Sequence, residues 1–316
     1  MKRHIDMVDT CIECGKKYSP PDFIWHCCCP DCKHKYNHDI ANGVFKKFFA
    51  ENPVIKKRMN MNKTGTKEWA EHNVNIFKGC ENDCRYCYAR YNAVKRFKRC
   101  ELDGWGLPRL YADWEKRCNK KYKGIVMFPS THDITDATHT VCKIAIKKLL
   151  EAGNELLIVT KPRYKYIREL IDEIKEHKDK ITFRFTIGSH NNNTLKFWER
   201  EAPSFYSRLA TLRYAYMENM NTSVSIEPML DPDNVVELYY ILWPFVTDTI
   251  WIGKMNMIRQ RVDMVSIYDE KIVSELEYAQ RDDNIWRIYN ALKFDTKVRW
   301  KDSIRKVIEG PEGETN

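Results

Sequence analysis

From residue 73 onward, short apolar runs alternate with longer stretches whose apolar residues recur every three or four positions. Short continuous runs suit strands buried on both faces; the longer period suits amphipathic helices. Strands are expected at residues 73–77, 124–128, 155–160, 181–187, 222–226 and 249–253. Helices are expected at about 85–99, 137–152, 164–177, 204–219 and 233–245, with Gly153 closing the second. On the helix at 137–152, Val141, Ile144, Ala145, Ile146, Leu149 and Leu150 form the apolar face; on that at 204–219, Phe205, Leu209, Leu212 and Tyr216 do. Six consecutive strand–helix units predict a parallel sheet with right-handed crossovers, an α/β fold. Six units rather than eight predict a partial, open (βα)6 TIM-like barrel over residues 73–260.

The flanks read differently. Residues 1–40 carry two C-x-x-C knuckles, Cys11-Ile12-Glu13-Cys14 and Cys29-Pro30-Asp31-Cys32. Their spacing fits a zinc ribbon with Cys11, Cys14, Cys29 and Cys32 as ligands, and Cys27 and Cys28 as neighbours able to replace one. So small a unit cannot bury a sizeable core, so a structural Zn2+ would hold it folded. Residues 41–72 read as a basic helical linker. Residues 261–316 read as C-terminal helices that close the domain, ending in a polar tail.

In barrel folds the chemistry gathers at the carboxyl ends of the strands. There the expected strands deliver, in order, the cysteine stretch from Cys80; Pro129-Ser130-Thr131-His132-Asp133; Lys161-Pro162-Arg163; Gly188-Ser189-His190; Glu227-Pro228; and Lys254-Met255-Asn256. Each alone is an ordinary polar strand end. Six on one rim form a candidate site, with Ser130, Glu227 and Asn256 as candidate catalytic residues.

Twelve cysteines would suit a disulfide-rich secreted protein, but no apolar leader follows Met1 and the cysteines cluster tightly, so metal binding is the better reading. No apolar run reaches the length of a membrane span. A cytoplasmic protein is expected. The formal net charge of +9 is compatible with a phosphate-bearing partner.

The central stretch is Cys80-Glu81-Asn82-Asp83-Cys84-Arg85-Tyr86-Cys87, a C-x-x-x-C-x-x-C spacing with no fourth cysteine nearby. Thiolates so spaced suit zinc or an iron–sulfur cluster. Three cysteines holding a four-iron cluster leave one iron open to a cofactor. With Tyr86 before the third cysteine, the stretch resembles the signature of the radical S-adenosylmethionine (SAM) enzymes. The "TKP" at 160–162, "TSVSIEPML" at 222–230 and "WIGKMN" at 251–256 resemble the spore photoproduct lyase-like branch of that superfamily.

The resemblance spans about residues 73–305. It implies a [4Fe-4S] cluster on Cys80, Cys84 and Cys87, with SAM contacted by Lys161 through its carboxylate, by Thr131, Asp133 and Ser189 through ribose or amino groups, and by Tyr86 at adenine. It further implies reductive cleavage of SAM to a 5′-deoxyadenosyl radical, hydrogen abstraction from a nucleic-acid or nucleotide-like substrate, and an electron donor such as flavodoxin or ferredoxin. The lyase proper has a cysteine after the second strand that returns a hydrogen atom to product. Ser130 stands there instead, and its O–H bond is too strong for that role, which argues against dimer splitting itself. Alternatives are radical modification of a peptide or small metabolite, and a non-catalytic zinc-ribbon protein that binds nucleic acid.

Overall fold

The computed structural model describes residues 9–10, 17–18, 64–102 and 104–310. The chain separates into two compact units, residues 1–58 with 294–296, and residues 59–293 with 297–316. In the first, strands β1 (Asp9–Thr10) and β2 (Lys17–Tyr18) pair antiparallel. Cys11, Cys14, Cys29, Cys32 and the proposed linker up to residue 63 lie outside the described residues.

The second unit is built on β3 (His72–Asn73), β6 (Ile125–Phe128), β7 (Glu155–Thr160), β8 (Ile181–Thr186), β9 (Asn221–Ile226), β10 (Ile250–Ile252) and β11 (Val298–Trp300). These form one seven-stranded sheet in chain order, every neighbouring pair parallel. This is a curled half-barrel, the α/β partial barrel expected. The central strands are apolar because both faces are covered: after Glu155, all of β7 is buried.

Helices fill the crossovers. In chain order they are α1 (Tyr88–Arg90, continuing as a π-helical stretch Tyr91–Arg96), α2 (Trp114–Cys118), α3 (His139–Glu151), α4 (Tyr164–Ile174), α5 (Asn192–Trp198), α6 (Phe205–Met217), α7 (Val235–Leu242), α8 (Ile258–Arg261), α9 (Ile267–Ala279), α10 (Asp282–Leu292) and α11 (Asp302–Ile308). On α4, Ile167, Leu170, Ile171 and Ile174 face the sheet at helical spacing. Helix α6 starts at Ser204, whose hydroxyl accepts from the Ser207 N–H, a capping interaction that satisfies one orphan donor.

The structure departs from the sequence pattern in five places. The strand expected at 73–77 is two: β3 joins the sheet edge, while β4 (Phe77–Lys78) turns away and pairs antiparallel with β5 (Arg109–Leu110). The break falls at Asn75, whose side chain binds the loop after β6 (below). The helix expected from residue 85 starts at Tyr88, because Cys84–Cys87 form a turn closed by the Cys87 N–H on the Cys84 carbonyl. β11 is a seventh strand in a region read as helical; three residues containing Arg299 give no apolar run. On α6 the buried stripe is Phe205, Arg208, Thr211, Leu212 and Ala215, and Tyr216 is exposed. A buried Arg208 hides that face from any apolar pattern. Similarly Ile144 on α3 is exposed and Cys142 takes a core position.

Candidate active site

At the carboxyl edge of the sheet lies a cavity of about 680 Å³. Its floor includes Met127, Val159 and Thr186, the last inward-facing residues of β6, β7 and β8 or their near neighbours. The loops after the strands form its walls. Cys80, Cys84, Cys87, Tyr86, Ser130, Thr131, Asp133, Lys161, Glu227 and Asn256 all line it. Every candidate of the barrel except Ser189 therefore meets in one space.

The cysteine loop is held by backbone geometry. Gly79 has φ +99°, and a Cβ there would lie 2.6 Å from the Trp105 carbonyl oxygen, which accepts the Cys80 N–H at 2.9 Å. Only glycine allows that approach. Asp83 sits in the left-handed region at φ 41°. Its carboxylate takes Arg90 at 3.1 Å and Arg200 at 2.8 Å. The Cys87 sulfur caps α1, accepting the Arg90 N–H at 3.4 Å.

The three thiols differ in exposure: Cys84 is buried, Cys80 and Cys87 partly so. Burial pushes the Cys80 thiol up to about 12, reinforced by Asp133. Burial likewise raises Cys84, only partly opposed by Lys161. These sulfurs stay protonated without a cation to draw the proton off, the setting in which a metal centre defines the ionisation state. Among the described residues, no group of three or more His, Cys, Asp or Glu is arranged to hold a metal ion. All three thiols line the one cavity, and three cysteines at this spacing suit an iron–sulfur cluster.

Behind the loop lies a charge network that sequence reasoning missed. Glu199 and Arg208 form an ion pair with both side chains fully buried. Tyr86 donates its hydroxyl to Glu199 Oε1, and Lys161 Nζ lies 3.9 Å from the same oxygen. Burial would raise the Glu199 carboxyl, but Arg208 and Lys161 outweigh it and hold it below the ordinary range. Burial would discharge Lys161, but Cys84, Glu199 and Asp133 outweigh it and its ammonium is favoured. The bridge between Cys84 and Glu199 and the Arg85 N–H on the Trp198 carbonyl at 2.8 Å join this network to the cysteine loop. A lone glutamate before a turn and an arginine on a helix carry no motif that marks them in the sequence.

Asp133 is saturated. It accepts from Asn82 Nδ2 at 2.8 Å, from the Ile134 N–H at 2.9 Å, from the Thr160 hydroxyl, and from the Lys161 N–H at 3.1 and 3.2 Å. It ties the cysteine loop to the ends of β6 and β7. Ser130 and Thr131 are fixed by Asn75, whose Oδ1 accepts both N–H groups at 2.7 and 2.8 Å. Asn75 Nδ2 also donates to the Ser130 hydroxyl at 2.9 Å, and Tyr88 donates to the Ser130 carbonyl at 2.6 Å. His132 is buried and neutral: burial lowers it to about 4, and its Nε2 accepts the Ile76 N–H at 3.2 Å. Ser189 is fully buried beneath the loop, accepting the Asn191 N–H at 2.9 Å, and does not line the cavity.

Glu227 forms the opposite wall with Lys301, 3.3 Å away. Lys301 also meets Glu68 at 2.9 Å and lies over the Trp69 ring at 4.4 Å. Gly253 makes room for the pair: a Cβ there would come within 2.8 Å of Lys301 Cγ and 3.0 Å of Glu227 Cγ. Burial pushes Glu227 up to about 7, countered in part by Lys301. Asn256 is exposed at the rim.

No family model matches this chain. A solved spore photoproduct lyase double mutant with bound AdoMet and dinucleoside spore photoproduct superposes with a TM-score of 0.50, covering 86 % of this chain and 94 % of that one at 16 % identity. The chain shares the partial-barrel fold of that lyase. A second spore photoproduct lyase structure, complexed with dinucleoside spore photoproduct, gives the same TM-score over 78 % of this chain and 80 % of that one. In sequence, an uncharacterized protein of Methanocaldococcus jannaschii, MJ0683, is 27 % identical over 180 residues. The match covers 55 % of this chain and 65 % of that relative's length. Within this partial barrel, the cavity described above opens where the strands end.

Proposed function

We propose that this protein is a radical SAM enzyme acting on a nucleic-acid or nucleotide-like substrate. The observation that carries the reading is the convergence of Cys80, Cys84 and Cys87 with Lys161 and Glu227 on one cavity at the carboxyl ends of a parallel half-barrel. The cavity volume is in the range of cofactor and substrate sites. Its fold is shared with a lyase whose structure holds AdoMet and a dinucleoside. When bound, a [4Fe-4S] cluster and SAM would supply one-electron cleavage and a hydrogen-abstracting radical.

The chain's own residues have separable roles in this reading. Cys80, Cys84 and Cys87 hold the cluster. Lys161, held as an ammonium beside Glu199, would receive the carboxylate of SAM. Asp133 keeps the cysteine loop and the Lys161 backbone in register; its oxygens are already occupied by protein donors. Thr131 and Tyr86 present a hydroxyl and a ring edge to the cofactor side. Glu227, ionising near neutrality beside Lys301, can hold or release a proton on the opposite wall. Ser130 presents a hydroxyl fixed by Asn75, suited to hydrogen bonding rather than to hydrogen-atom return.

The N-terminal unit is proposed to bind one structural zinc through Cys11, Cys14, Cys29 and Cys32. Strands β1 and β2, which flank Cys11 and Cys14 in the sequence, pair antiparallel, in keeping with this reading. Among the described residues, no helix is long and apolar enough to cross a membrane.

Anaerobic reconstitution tests the enzyme reading. About four irons and four sulfides per chain are expected on the three-cysteine site, with release of 5′-deoxyadenosine and methionine on reduction with SAM. Cys84→Ala removes both cluster and cleavage. A fully loaded cluster that leaves SAM intact under reduction refutes the proposal.

A further inference from the structure

We infer that Arg261 is a substrate-binding residue that receives a phosphodiester of the substrate strand. The inference deepens the nucleotide-substrate reading above and rests on it. Four cationic side chains line the cavity: Lys161, Lys254, Arg261 and Lys301. Three face a carboxylate, Lys161 on Glu199 at 3.9 Å, Lys254 on Asp282 at 3.7 Å and Lys301 on Glu68 at 2.9 Å. Arg261 makes no ion pair with any described residue. Its Nε is buried with no hydrogen-bond partner, and its one polar contact is Nη2 with the Met257 sulfur at 4.0 Å.

This contrasts with its surroundings. Arg259, two residues earlier, binds Glu270 and Glu277; Lys95 and Arg90 share Asp263. Among the described residues, the other three cations of the cavity are paired with carboxylates and Arg261 is not. A guanidinium does not discharge, so a half-buried arginine without a counter-charge favours an incoming anion. Its fork of donors fits two oxygens of a phosphate.

The placement is built by the backbone. Met257 takes a left-handed conformation at φ 55° directly before α8. The turn buries Ile258 under the helix and brings Arg261, one turn on, to the cavity wall. There its charge is felt by Cys87, Glu227, Tyr88 and Tyr91. A substrate anion on Arg261 would therefore sit beside both the cluster loop and Glu227. Glu227 Oε2 is taken by Lys301; its other oxygen is available to an N–H donor on the same substrate. A phosphodiester flanked by a base edge carries both features.

The test uses the full chain, cluster-loaded and anaerobic, with equilibrium binding as the readout. The probes are a fluorescent thymidine dinucleotide, the same dinucleotide with a neutral methylphosphonate link, and thymidine 5′-monophosphate. Wild type is expected to prefer the charged link by about tenfold or more, the worth of one charge-assisted pair. Arg261→Gln should abolish that preference by weakening the charged probe alone, Arg261→Lys should restore part of it, and the exposed control Lys271→Gln should match wild type. SAM binding should be unchanged in Arg261→Gln. If the monophosphate competes as well as the charged dinucleotide, the site is one for a terminal phosphate and the assignment to a phosphodiester is overturned. Retention of the preference in Arg261→Gln, or its absence from wild type, overturns the role of Arg261 while leaving the nucleotide reading in place. Loss of SAM affinity with the preference intact also overturns it and assigns the arginine to the cofactor. Binding of no probe by wild type overturns the nucleotide reading with it.

Discussion

Glu199→Gln is the most informative perturbation of the network behind the cysteine loop. The change keeps the side-chain shape and an acceptor for Tyr86, but removes a charge that faces Arg208 and Lys161. Both Glu199 and Arg208 are at 0 % side-chain exposure, so water cannot screen the loss. Breaking a buried pair by neutralising one member costs about 3–5 kcal/mol, since the other charge is left uncompensated. Arg208 retains the Pro203 and Thr186 carbonyls at 2.8 and 3.1 Å, which places the expectation at the lower end, about 3 kcal/mol. At about 2–4 °C per kcal/mol for a domain of this size, the thermal midpoint should fall by about 6–12 °C.

The pH dependence follows from the direction of the Glu199 shift. Its folded-state carboxyl lies below the ordinary value of 4.5, so its contribution is present above that value and is lost as pH falls through the lowered one. Wild type should therefore lose stability in acid more steeply than Glu199→Gln. Circular dichroism melts of both proteins from pH 7 downward measure this. The double variant Glu199→Gln/Arg208→Met should recover much of the loss, with a coupling of more than about 1 kcal/mol. A single variant within about 1 kcal/mol of wild type, with an unchanged acid slope, would show that the pair is not an ionic anchor for the loop.

Further expectations concern the two glycine- and carboxylate-dependent walls. Glu227→Gln should flatten the stability profile between about pH 4.5 and 7. With its folded value raised to about 7, wild-type Glu227 stabilises the fold below 4.5 and loses that contribution as pH rises through 7, a change of about 1–3 kcal/mol. An unchanged profile by urea titration at several pH values would contradict the buried placement of that carboxyl. The same variant should expose the opposite trend of His132, whose folded value near 4 makes its contribution present above 6.5 and lost toward pH 4. Gly79→Ala must either move the Trp105 carbonyl or shift the Cys80 backbone, so iron retention after reconstitution should fall sharply. Full iron content in that variant would show that the loop tolerates the displacement.

Much of this protein was written in its pattern of apolar and polar residues. The runs at 155–160 and 181–186 became β7 and β8 because buried parallel strands need apolar side chains on both faces. The chemistry-bearing strand ends were legible for the same reason: a polar residue directly after such a run can only emerge at the sheet edge. The tertiary structure decided what local pattern cannot encode. β3 and β11 are two and three residues long and owe their existence to a neighbouring strand. Asp133 and Ser189 looked like free ligand-binding groups; only the folded structure shows that Asp133 is taken by donors from across the fold and that Ser189 is buried, accepting the Asn191 N–H of its own loop. Glu199 and Arg208 are nine residues apart with no motif between them; burial and the low dielectric around them turn them into the support of the cysteine loop. Arg261 is one basic residue among 53 lysines and arginines in the sequence. It stands out only in three dimensions, because among the described residues the other cations lining its cavity meet carboxylates and it does not.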